Sequence, residues 1–162
     1  MARKSGIFGG IIGFVLALIA EIPIFPPQNI VIPLNIYKFN TTEFYTWGFV
    51  LGNGEGFSIS SLFFPENLLT LTFWLILIFI SLFSILGSTK KSNPTNSLKL
   101  YNLNILFSSI LLLVYTIQVL VTNLSNLGAI FMNVGIGYYL LALILILNTM
   151  AKSTLKKEEW KI

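Results

Sequence analysis

The chain has 162 residues, a net charge of +4 and a mean hydropathy of +0.83, with 55% of its residues hydrophobic and only 10% charged. Soluble domains carry about 25% charged residues, so there is too little charge here to cover a water-facing surface, and the length allows one domain. Histidine, cysteine and aspartate are all absent; this removes the ordinary zinc, haem and iron–sulfur ligand sets, disulfides, Cys nucleophiles and His bases, so no catalytic residue, metal or cofactor is expected.

The apolar residues fall in four blocks, 6–24, 67–87, 98–122 and 129–150. A bilayer core about 30 Å thick needs roughly 20 helical residues, so each block predicts a transmembrane helix. The first block follows Arg3 and Lys4 as a secretory signal would, but cleavage after Ala20 would put Leu18 where a small residue is wanted. It is therefore expected to be retained. Nine of the ten basic residues lie at the N-terminus, in the connection around Lys90, Lys91 and Lys99, and in the tail, whereas residues 25–66 hold only Lys38 against Glu43, Glu55 and Glu66. The positive-inside rule then places both termini in the cytoplasm and residues 25–66 outside. The basic charge is topological and does not call for nucleic acid.

Residues 25–66 read as β. Positions 28–38 alternate, with Pro33 marking an edge strand, and the aromatic-rich runs 44–51 and 57–64 flank Gly52-Asn53-Gly54-Glu55-Gly56, a hairpin signal. The predicted fold is an all-α membrane protein, a left-handed bundle of four transmembrane helices with a small antiparallel sheet of two or three strands in the first extracellular segment. Trp47, Phe49, Phe63 and Phe64 are the candidate outer interface, as an aromatic belt or as contacts to another subunit.

Within the spans, small and polar residues pick out faces. Gly9, Gly13 and Ala17 form a small-xxx-small row for close helix packing. Polar residues avoid lipid, so Thr70, Trp74, Leu77, Ser81, Ser84 and Ser88 are expected to face inward on the second span. The same holds for Asn104, Ser108, Leu111, Tyr115, Gln118 and Thr122 on the third, and for Gly128, Met132, Gly135, Tyr139, Ala142, Ile146 and Thr149 on the fourth. Glu21 is the only acidic residue inside a block (Lys99 stands at the start of the third) and is expected to hydrogen-bond Gln118 or Tyr115 near the outer end. There is no Walker loop, metal-spaced carboxylate cluster or Ser–His pair. The tail, 151–162, is basic with Trp160 and suits a cytoplasmic anchor. Two glycosylation sequons fall outside, Asn40-Thr41-Thr42 and Asn123-Leu124-Ser125, although chance alone would supply about two.

The run Tyr45-Thr46-Trp47-Gly48-Phe49, a hairpin, then Ser61-Leu62-Phe63-Phe64-Pro65 entering the second span resembles the claudin and peripheral-myelin-protein group of four-span proteins. Gly135, Gly137 and Tyr138 at the start of the fourth span are similar to that group too. The chain departs from it in having no Cys pair, in placing Trp before Gly, and in lacking an Arg at the outer end of the second span. The resemblance implies lateral assembly through outer-sheet edges and a role in adhesion, barrier or membrane organisation. The residues themselves favour a non-catalytic plasma-membrane protein acting through protein contacts, as an accessory or scaffolding subunit of a larger membrane assembly or a claudin-like self-assembling protein. Its expected partners are lipid and other membrane subunits or further copies of itself. The alternative is a small channel or transporter subunit using Glu21 and the polar face of the third span.

Overall fold

The computed structural model of the chain describes residues 4–19, 34–46, 48–51, 57–58, 66–89, 93–124, 128 and 130–159. Its longest helix, α3 (Pro94–Thr122), opens where the sequence says a helix should open. Asn93 is extended, its side chain accepts from the Thr95 amide, and Pro94 supplies a fixed φ at a position that needs no donor. Before it come α1 (Lys4–Phe14), which continues as a π-helical segment over Val15–Ile19, and α2 (Glu66–Ser88). After it come the single turn α4 (Ile130–Asn133) and α5 (Ile136–Glu159). The molecule is mostly helical. Leu71–Ser88, Pro94–Thr122 and Ile136–Lys156 are each long and apolar enough to cross a membrane, and Lys4–Leu18 is apolar but shorter.

The helices pack in a closed ring, α1 against α2 and α5, and α3 against the same two. Gly6 meets Ser88 and Tyr101, and Tyr101 packs with Ala151 and Leu155, so the starts of α1 and α3 share one end of the ring with the ends of α2 and α5. The interior is filled by Leu16, Ala17, Leu77, Ile80, Leu111, Tyr115, Val119, Leu141 and Ile144. The indole N–H of Trp74 on α2 donates to the Ala17 carbonyl of the π segment at 2.8 Å, a partly buried bond across the α1–α2 seam.

The strands β1 (Tyr37–Phe39), β2 (Thr42–Tyr45), β3 (Gly48–Leu51) and β4 (Phe57–Ser58) form one antiparallel sheet in sequence order. Tyr37 stacks on its cross-strand partner Phe44 at 4.4 Å, and the Lys38–Glu43 pair is an ion pair. The sheet stands on the helices through its first strand. Tyr37 bridges Val134, the Gly135 amide donates to the Ile36 carbonyl at 2.8 Å, and the Gly137 amide donates to the Asn35 carbonyl at 2.9 Å. Gly137 lies in the first turn of α5, so the segment leading into the sheet satisfies one of the amides a helix start leaves orphaned. Only a glycine admits this approach: a Cβ on Gly135 would lie 2.1 Å from the Asn35 carbonyl oxygen.

Several sequence expectations need correction. Of the expected strand 28–38, residues 28–33 with Pro33 lie outside the described residues, 34–36 are not strand, and β1 begins only at Tyr37. It runs to Phe39, where a two-residue loop at Asn40-Thr41 turns the chain, with Asn40 at φ 53°, a conformation asparagine tolerates. The run 44–51 is two strands, split by a second tight loop between the paired Tyr45 and Gly48. The sheet has four strands, where two or three were expected. The hairpin across 52–56 is present as the β3–β4 pairing. The third helix starts four residues early, at its proline cap. The fourth block is broken at Val134-Gly135 by the docking of the sheet, and its helix runs on to Glu159. What read as a tail therefore begins as packed helix, with Ala151 and Leu155 buried.

Candidate functional site

The ring encloses a polar cluster built from one side chain on each of three helices. Ser84 of α2 donates to Asn148 Oδ1 of α5 at 2.5 Å, and Asn104 Nδ2 of α3 donates to Ser84 Oγ at 3.0 Å and to Asn148 Oδ1 at 3.2 Å. Asn148 Nδ2 donates to the Ile144 carbonyl of its own helix at 2.9 Å. All three residues are fully buried. The fourth wall is α1, whose Gly9 lies against Leu147 and Asn148. One turn toward the Lys4 end, the hydroxyls of Ser88 and Tyr101 pair at 2.7 Å beside Gly6.

Asn104 Nδ2 spends both hydrogens on this cluster. Its Oδ1 and the hydroxyl of Ser108 are buried with no hydrogen-bond partner, as are Asn35 Nδ2 and Thr46 Oγ1 in the sheet region. The cluster contains only amides and hydroxyls. It has no proton to exchange near neutral pH and no anionic ligand for a cation, and it is suited to clamping three helices in one rotation and register. Among the described residues no group of three His, Cys, Asp or Glu side chains comes together.

At the other end of the ring, a recess of about 180 Å³ opens between α3, α4 and α5. Val119, Leu120, Ile130, Phe131 and Val134 make it apolar, and a Thr116–Tyr138 hydroxyl pair at 2.8 Å lies on its wall. Beside it, Asn133 Nδ2 donates to Asn123 Oδ1 at 2.6 Å and ties α4 to the end of α3. Phe131 and Met132 of α4 are 84% and 86% exposed. In the sheet, burial drives the Tyr37 phenol up to about 12. Burial also works to raise the Glu43 carboxyl, but hydrogen bonds from Lys38 and Tyr45 and the charge of Lys38 outweigh it and hold the group below its ordinary value.

The residues singled out from sequence are distributed unevenly. Gly9, Gly13 and Ala17 are all buried inside the ring, but not as one row on one neighbour: Gly9 faces α5, Gly13 faces Ser81 of α2, and Ala17 accepts from Trp74. Tyr115 is buried edge-on to Phe73. Gln118 is exposed, against expectation. With about 100° per residue, the step from Tyr115 to Val119 departs from the buried line by about 40° and the step to Gln118 by about 60° the other way, and the apolar Val119 takes the inner place. Glu21, Trp47, Phe63 and Phe64 lie outside the described residues, and of Phe49 only the backbone in β3 is described.

The face expected on the fourth span is also wrong. Met132, Tyr139, Ile146 and Thr149 point outward, and the buried line is Gly137, Leu141, Ile144, Asn148, Ala151 and Leu155. Asn148, the hub of the cluster, is the functional residue that sequence reasoning missed. Its signal was an isolated amide in an apolar run, which membrane packing turns inward. No family profile, curated protein or solved structure matches the chain.

Proposed function

We propose that the protein is a four-span integral membrane protein of the plasma membrane that works without catalysis, through contacts with larger membrane subunits or with further copies of itself. The first helix, described over Lys4–Ile19, would complete its crossing within the apolar block 6–24. The end of the ring that carries Lys4, Lys99, Lys152 and Lys156 is then cytoplasmic, and the sheet is outside.

The observation that carries this proposal is the filled axis. Toward the sheet, the Ser84–Asn104–Asn148 cluster is followed by Leu77, Ile80, Leu111, Leu141 and Ile144, and toward the Lys4 end by Tyr101, Ala151 and Leu155, all buried. A channel on this axis would have to displace close-packed apolar side chains. The Ser84, Asn104 and Asn148 side chains bond one another across the helices, which leaves the outer surfaces to act. They are apolar at Leu113, Ile117, Val121, Leu124, Phe131 and Met132. A self-assembling, claudin-like form of the protein would use the β4 edge, because the β1 edge is already bridged to Val134.

Gentle extraction from the native membrane tests the proposal. Stoichiometric co-elution with larger membrane subunits, or a defined homo-oligomer, is expected, and reconstituted protein alone should pass no ions. A lone monomer that conducts in liposomes would overturn it.

A further inference from the structure

The sequence contains two open sequons, Asn40-Thr41-Thr42 and Asn123-Leu124-Ser125; a third Asn-x-Thr, Asn93-Pro94-Thr95, is closed by its proline. The structure separates the two. Asn123 is 4% exposed. Its Nδ2 donates to the Val119 carbonyl at 2.8 Å and its Oδ1 accepts from Asn133 at 2.6 Å, so the amide is the bolt between α3 and α4. A substituent on that nitrogen would consume one of its hydrogens and force a sugar into the junction.

Asn40 is placed in the opposite way. It is the first residue of the two-residue loop joining β1 and β2, at φ 53°, and Lys38, Phe39, Asn40 and Thr41 are all exposed. The contacts that fix the sheet to α5 begin at Tyr37 and run away from this tip through Ile36 and Asn35. A bulky group at the tip therefore meets neither a helix nor the docking edge.

We propose that Asn40 is an acceptor site for an N-linked oligosaccharide and that Asn123 is not. The proposal rests on the outside placement of the first connecting segment. In the transfer, Asn40 Nδ2 forms a bond to the anomeric carbon of a polyprenyl-linked oligosaccharide. The bond from that carbon to the phosphate oxygen breaks, the polyprenyl phosphate or pyrophosphate departs, and the transferase takes the amide proton. No redox change is involved. The Thr42 hydroxyl, two residues on, is the group such a transferase requires.

The test is expression of the full chain in a cell that carries out N-glycosylation, with intact mass and glycosidase sensitivity as readouts for wild type, Asn40→Gln, Thr42→Ala and Asn123→Gln. One glycan is expected in wild type and in Asn123→Gln, and none in Asn40→Gln or Thr42→Ala. An unmodified wild type, or a glycan that survives Asn40→Gln, would overturn the proposal. Because the chain has no cysteine, Asn40→Cys labelled on intact cells with a membrane-impermeant maleimide separates the two ways of failing. Labelling without a glycan in wild type refutes the acceptor site and leaves the topology standing. Labelling only after permeabilisation refutes the topology, and the acceptor site with it.

Discussion

Asn148 accepts from both Ser84 and Asn104 through a single oxygen and so joins α2, α3 and α5 at one point. In an apolar interior each interhelical hydrogen bond contributes about 0.6 kcal/mol on average and up to about 1.7, so the cluster matters for specifying rotation more than for bulk stability. A slip of any one helix by a residue would leave buried amides and hydroxyls unpaired, at about 1–3 kcal/mol each. Thermal stability in detergent is therefore expected to show coupling between Asn104→Ala and Asn148→Ala of about 0.6–1.7 kcal/mol. Additive losses, within the usual 0.3–0.5 kcal/mol or so for independent sites, would show that the two side chains do not share a bond.

At the scale of elements, α1 is the helix with the least polar glue and the most glycine. Gly10 sets its approach to α2: a Cβ there would stand 2.7 Å from the backbone carbonyl oxygen of Ser81 and 2.6 Å from Ile85 Cγ1. A backbone atom cannot rotate aside, so Gly10→Ala is expected to lower stability by about 1–3 kcal/mol, the range for overpacking. Ile11→Ala, on the exposed side of the same turn, should do less. Equal losses in the two variants would contradict the α1–α2 seam.

The same comparison of elements shows what the sequence could and could not reveal. The positions of the three long apolar helices were legible, since length and hydropathy decide them. The rotation of α2 was legible too, because Ser81, Ser84 and Ser88 mark one side and all three are buried. The rotation of α5 was not. Leucine and isoleucine suit lipid and helix interface equally, so its small and aromatic residues misled, and only the isolated Asn148 carried information. The sheet was legible in kind but not in its breaks. Thr46-Trp47 lacks the glycine or asparagine that signals a tight loop, and the docking of Asn35 and Ile36 on Gly135 and Gly137 joins segments about 100 residues apart, which no local pattern encodes.

For the molecule as a whole, the absence of histidine, cysteine and aspartate, the filled axis and the polar cluster agree. On the proposed reading the interior holds the four helices in one arrangement, and interaction is left to the apolar flanks and the sheet. That account depends on which side of the membrane each connection occupies. The most direct measurement is substituted-cysteine accessibility, for which the Cys-free chain gives a clean background. With an impermeant maleimide on intact cells, Thr41→Cys in the sheet and Leu124→Cys after α3 should be labelled, whereas Thr95→Cys before α3 and Lys156→Cys in α5 should be labelled only after permeabilisation. Labelling of Thr41→Cys and Thr95→Cys from the same side would mean that α2 does not cross the bilayer, and the four-span account would fail.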